Sequence, residues 1–233
     1  MLDQAFDALK TFDWGADLNT LNPIGQAILA TQADAAARKD LEARLAAVLK
    51  AEAPRDAKDY VCRKLMQIGT ASSVPALAEL LPNKDLSHMA RYALERMEAP
   101  AAGQALREAL PTVSGVQKVG VISSLGVRCD NESVPALAAL LADADGQVAR
   151  AAVLALGNIR TPEAAKALAE AKPAEVAQAA TIDARLVCAE ALLSDGKKAE
   201  ALAIYKAYAG ENQPKQVRLA AVRGMLACAG KKE

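Results

Sequence analysis

The chain has 233 residues, of which 52% are hydrophobic and only 3% aromatic, and its 28 basic residues balance 28 acidic ones. That apolar fraction without net charge excludes an intrinsically disordered chain, and the charge balance lacks the clustered Lys and Arg on which nucleic-acid affinity rests. With 55 Ala and 29 Leu, helices are favoured, because Ala loses no side-chain entropy on entering a helix and Leu loses little. An all-α protein is expected.

Met1-Leu2-Asp3-Gln4-Ala5-Phe6-Asp7 carries acidic residues where a signal peptide would be basic and then apolar. No stretch approaches the roughly 18 consecutive apolar residues of a membrane span. A soluble protein is expected, either cytoplasmic or, as part of a trimmed chain, periplasmic or exported. Residues 1–39 read as capping helices. Phe6, Phe12 and Trp14, three of the seven aromatics, gather there and are expected to cover the open end of the first regular repeat; the alternative is an exposed aromatic docking site.

From residue 40 onward the chain is repetitive. Ser73-Val74-Pro75-Ala76-Leu77-Ala78-Glu79-Leu80-Leu81 returns as Ser133-Val134-Pro135-Ala136-Leu137-Ala138-Ala139-Leu140-Leu141, identical at eight of nine positions and offset by 60. Equivalent leucines at Leu45, Leu77, Leu106, Leu137, Leu168 and Leu202 are spaced 32, 29, 31, 31 and 34, which implies about six units of two helices each. In the unit at Ser133, that serine is expected to cap the first helix by accepting a backbone N–H, with Pro135 in the first turn. Asp143-Ala144-Asp145-Gly146 reads as the turn. Val148, Ala151, Ala152, Ala155, Leu156 and Ile159 form the buried stripe of the second helix, which Gly157 and Asn158 are expected to close. A lone hairpin cannot bury both faces of its helices, so the hairpins must stack.

Residues 40–163 hold the regular units and 164–233 divergent ones, all within a single domain spanning 1–233. Past Ala189 the register breaks, and the final Gly230-Lys231-Lys232-Glu233 leaves no room for a further capping helix. Cys62, Cys129, Cys188 and Cys228 form no metal-ligand spacing; three lie in apolar helical patterns and read as structural thiols.

The S-V-P-A-L-A-x-L-L opening, the Asp-rich turn and V-A-R-A-A-V-L-A-L-G-N-I at 148–159 resemble HEAT repeats, particularly the short bacterial variety similar to the phycobilisome-lyase type. The segment from Asp195 to Tyr208 is similar to a tetratricopeptide hairpin. The resemblance implies an armadillo-like α-α superhelix, a right-handed solenoid of stacked antiparallel helix pairs, used as a scaffold that holds another protein on a concave face lined by second helices. It also implies either a free protein or a module of a larger polypeptide.

Enzymes of similar build need residues this chain lacks. An iron-dependent hydroxylase needs repeated His-Glu pairs, whereas His88 is the one histidine. A DNA-alkylation glycosylase needs a basic, aromatic groove, and a tetrapyrrole lyase needs a pigment-holding set. Gly120 to Gly126 only superficially suggests a nucleophile elbow, since the spacing is wrong and the context helical. No catalytic residue, metal, cofactor, nucleic acid or membrane insertion is expected. The reading is a non-catalytic scaffold for a protein partner; the alternative is a HEAT-like enzyme or nucleic-acid binder.

The second helices carry the candidate binding residues. Arg91 and Arg150 stand two residues after Met89 and Val148, at equivalent points facing away from the buried stripe, and Lys118 and Arg218 lie within one or two positions of that point in their own units. Such a row of cations would take an acidic or carboxylate-rich partner, with Arg supplying forked donors. The alternative is a ladder between repeats, in which the cations pair with Asp85, Asp143 or Asp145.

Overall fold

A computed structural model describes residues 1–172 and 175–230. The described residues contain α-helices, short 3-10 turns and connecting loops, but no strand. They divide into two compact units, 1–124 and 125–233.

The first unit holds α1 (Leu2–Leu9), α2 (Asn22–Ala30), α3 (Ala35–Lys50), α4 (Arg55–Ile68), α5 (Val74–Ala78), α6 (Ser87–Arg96), α7 (Pro100–Ala109) and most of α8 (Gly115–Val127). Helices α3 and α4 form one hairpin and α5 and α6 the next; α3 packs on α5, α5 on α7, and α4 on α6. First helices thus stack on first helices and second on second, which is the arrangement of an α-solenoid. The second unit repeats it with α9 (Val134–Ala139), α10 (Gly146–Ile159), α11 (Pro162–Glu170), α12 (Gln178–Ser194), α13 (Lys198–Tyr208) and α14 (Lys215–Cys228). There α9 packs on α11, α10 on α12, and α12 on α14.

The leucine period maps onto the first helices. Leu45, Leu77, Leu106, Leu137 and Leu168 fall on α3, α5, α7, α9 and α11, and each is fully buried. The sixth marker is displaced by one residue: Ala201 is buried on α13 while Leu202 is half-exposed. Tyr205 and Tyr208 supply the bulk there, where the regular units use aliphatic side chains. A Cβ on Gly224 of α14 would lie 2.3 Å from the Tyr205 ring, so the ring takes the space of the missing side chain.

Two local expectations are corrected. Ser133 does not cap α9: its backbone is already helical, so its hydroxyl donates instead to Asp130 O at 2.6 Å, and Ser73 likewise donates to Thr70 O at 3.2 Å. A side-chain cap normally needs an extended residue at that point, and Ser133 is instead the last residue of a 3-10 turn, Asn131–Ser133. Gly157 and Asn158 do not end α10, which runs to Ile159 and closes on Arg160 in the left-handed region, φ 56°. Gly157 serves packing instead. A Cβ there would stand 2.9 Å from Ala184 Cβ, so its absence lets α10 and α12 approach closely.

The turn before α10 forms as expected, with Asp145 N–H donating to Asp143 Oδ1 and Gln147 N–H to Asp145 Oδ1, each at 2.9 Å. Asn83 does the same work before α6, accepting from Asp85 N and Leu86 N.

The N-terminal aromatics differ in their surroundings. The Phe6 ring lies under the Arg44 guanidinium of α3 at 4.1 Å, and Phe12 meets Tyr60 of α4 with ring centroids 6.4 Å apart. Both cover the first regular hairpin. Trp14 is 92% exposed and stands open to solvent.

Cys62 and Cys188 are fully buried, and burial pushes their thiols up to about 12 and about 11. Cys228 is half-buried and Cys129 exposed, so two of the three cysteines expected in apolar helical patterns are fully buried. The expectation about a closing helix falls on residues 231–233, outside the described residues. No described helix is long and apolar enough to cross a membrane.

Candidate interaction surface

The four candidate cations are held by second helices, Arg91 on α6 and Lys118 on α8 in the first unit, Arg150 on α10 and Arg218 on α14 in the second. Their surroundings differ. Arg91 is half-buried and donates to Gly120 O at 3.0 Å and Ser124 Oγ at 3.1 Å, both on α8. Ser124 Oγ in turn donates to Glu95 Oε2 at 3.0 Å, one turn beyond Arg91. His88 Nδ1 lies 3.2 Å from Arg91 Nη2, and its ring stacks on Tyr92.

Gly120 is what admits the guanidinium. A Cβ on residue 120 would sit 2.5 Å from Arg91 Cζ and Nε. Burial pulls the Arg91 guanidinium below its ordinary value, and the Glu95 carboxylate opposes that fall. The Nε of Arg91 has no hydrogen-bond partner. Arg91 therefore joins one hairpin to the next, through a carbonyl and a hydroxyl rather than through Asp85.

Arg150 is exposed on α10, on one stripe with Gln147, Leu154 and Asn158, and Leu154 is 42% exposed despite its size. On α12 the exposed stripe holds Asp183, Val187 and Glu190. The cations of the second unit are thus separated by carboxylates on the helix between them. Lys118 and Arg218 are half-exposed.

Two polar groups that the leucine period does not reveal hold the hairpins together. Glu42 of α3 is buried at 2% exposure, and its Oε1 accepts from Thr70 N at 2.7 Å and Ser73 N at 3.2 Å, with Thr70 Oγ1 also donating to the carboxylate. It fixes the turn that leads into α5. Arg185 of α12 donates through Nε to Leu168 O at 2.7 Å, through Nη2 to Leu168 O, Ala169 O and Ala171 O, and through Nη1 to Tyr208 Oη at 2.7 Å. It thereby satisfies carbonyls that the end of α11 would leave orphaned. The sequence signal for Glu42 is its place within the apolar stripe of α3, between Leu41 and Leu45. Arg185 has no such signal, because its partners are mostly backbone atoms.

The grooves are shallow. One of about 370 Å³ runs between α3 and α5 along Ala43, Ala46, Ala47 and Pro75, with Lys39 and Lys50 at its margins. Ser123 and Ser124 both lie in α8, where Ser123 Oγ donates back to Val119 O, so this segment is helix rather than a strand-to-helix turn. Among the described residues no group of three or more His, Cys, Asp or Glu converges as a metal site.

A profile of HEAT repeats matches residues 114–185, spanning α8 to the first half of α12. No curated protein matches the chain. Among solved structures, an engineered protein from a structural genomics consortium is 17% identical, with a TM-score of 0.45, over 99% of this chain and 69% of its own. The hairpins on either side of the matched stretch keep its order of first and second helices, and the likeness to HEAT repeats is carried by residues 114–185.

Proposed function

We propose that this chain is a non-catalytic scaffold that holds a protein partner on the exposed face of its second helices. The observation that carries the reading is the exposed stripe of α10, where Leu154 stays open to solvent one turn from Arg150, on a helix whose other large apolar residues are buried. Apolar side chains rimmed by charge and amide are the usual make-up of a binding patch. Arg150, Gln147 and Asn158 supply donors, and Leu154 and Val187 supply apolar contact. A partner with acceptors around an apolar centre fits this face. Arg91 contributes by fixing α6 against α8 rather than by contact, while Lys118 and Arg218 remain contact candidates on their own helices.

The test pairs binding with stability. Proteins retained from an extract of the source organism by the wild-type chain are compared with those retained by Arg150→Glu/Leu154→Asp. The reading expects at least one protein held by the wild type and lost by the variant, with a melting temperature within about 2 °C, as expected for surface substitutions. Identical retained sets would contradict it.

A further inference from the structure

Large exposed apolar side chains are unevenly placed. In the first unit they are Met1, Trp14, Leu18 and Leu29, all within the first thirty residues, and Val116; the stretch between 30 and 115 has none. In the second unit the densest group is on α14, where Leu219, Val222 and Leu226 stand at i, i+3 and i+7, on one stripe of the helix. Only Ala221 of α14 is buried, against nine residues of α10 and six of α12. Helix α12 covers α10 and α14 covers α12, but no described element is stacked in that way upon α14.

The two patches carry opposite charge. Trp14 stands between Asp13 and Asp17, and over residues 1–30 four aspartates face a single Lys10. Helix α14 carries Lys215, Arg218 and Arg223 and no acidic residue. Each patch thus has what the other needs: an exposed aromatic ring with acidic flanks on one, an apolar helical stripe with basic flanks on the other.

We propose that the Trp14 edge of one copy docks on α14 of a second copy. The indole lies across Leu219, Val222 and Leu226, while Asp13 and Asp17 face Lys215 and Arg218. Trp is the residue type that most often anchors an interface, and opposite charges at the rim set its register. The contact joins two different patches, so it is heterologous, and copies add one at a time until a ring closes or a chain of copies extends. It uses neither Arg150 nor Leu154 of α10, shares only Arg218 with the partner-contact candidates, and its variants leave the α10 patch intact.

The experiment is complementation followed by sedimentation velocity, on the full chain at concentrations up to on the order of 100 μM, where weak contacts are populated. The wild type should show mass rising with concentration in steps of one chain, and about 1 M NaCl, with a Debye length near 3 Å, should reduce the associated fraction several-fold. Trp14→Glu and Leu219→Glu/Val222→Glu should each be monomeric. Mixed in equal amounts they should form a two-chain species and nothing larger, because only one intact edge of each kind remains. A monomeric wild type, as expected if the occupant of α14 is a foreign acidic protein or a lipid surface, overturns the proposal. So does a Trp14→Glu variant that still self-associates, which would mark α14 as pairing with itself, and so does a mixture that stays monomeric. Should either Glu variant lose helical circular dichroism, Trp14→Ala and Leu226→Lys replace it with the same expectations.

Discussion

Arg91 and Arg150 stand at the same point of their repeats, two residues after Met89 and Val148, yet only Arg91 is built into its unit. The difference lies in the helix that comes after each. Twenty-nine residues beyond Arg91 is Gly120, whose missing Cβ makes room for a guanidinium and whose carbonyl accepts from it. Twenty-nine residues beyond Arg150 is Ala179, at the start of α12, and the arginine stays in solvent. An arginine's role in a repeat is therefore set by its neighbour's side chain. The second unit has its own built-in arginine at a different place, Arg185, which binds the end of α11.

That contrast orders the expected effects of substitution. Arg185→Met should cost the most, about 2–4 kcal/mol in urea unfolding, because several carbonyls at the end of α11 lose a charged donor together. Glu42→Gln should cost about 1–2 kcal/mol, since an amide oxygen can replace only part of what the carboxylate accepts from Thr70 and Ser73. Gly120→Ala should cost about 1 kcal/mol by displacing Arg91 from its seat. The same change in an Arg91→Ala background should stabilise by about 0.5–1 kcal/mol, because Ala is then simply the better helix former. A double-mutant cycle reads that reversal directly, and equal effects in both backgrounds would show that the guanidinium does not occupy the site.

The architecture is legible in the sequence because it rests on period. Five of the six leucine markers fall on fully buried positions of first helices, and the failure at Leu202 comes where Tyr205 and Tyr208 replace aliphatic packing. What period does not convey is which polar atom meets which. Residue type alone points Ser133 to a cap and Gly157 to a stop, but a 3-10 turn ending at Ser133 and a close approach by Ala184 give them other work. Arg91 has the same sequence credentials as Arg150, and its fate depends on a glycine in another helix. Trp14 clusters in sequence with Phe6 and Phe12, yet only the phenylalanines meet a ring or a guanidinium of the first regular hairpin. Such outcomes are decided by contacts between helices, which a one-dimensional spacing does not encode.

The most direct test sets Arg91→Met beside Arg150→Met in parallel urea titrations. Loss of Arg91 removes a charged donor from Gly120 O and Ser124 Oγ inside the stack, so it should lower stability by about 2 kcal/mol. Loss of Arg150, an exposed side chain, should change it by less than about 0.5 kcal/mol. Equal losses for the two, or a larger loss at Arg150, would contradict the division between an arginine that builds the fold and one that faces a partner.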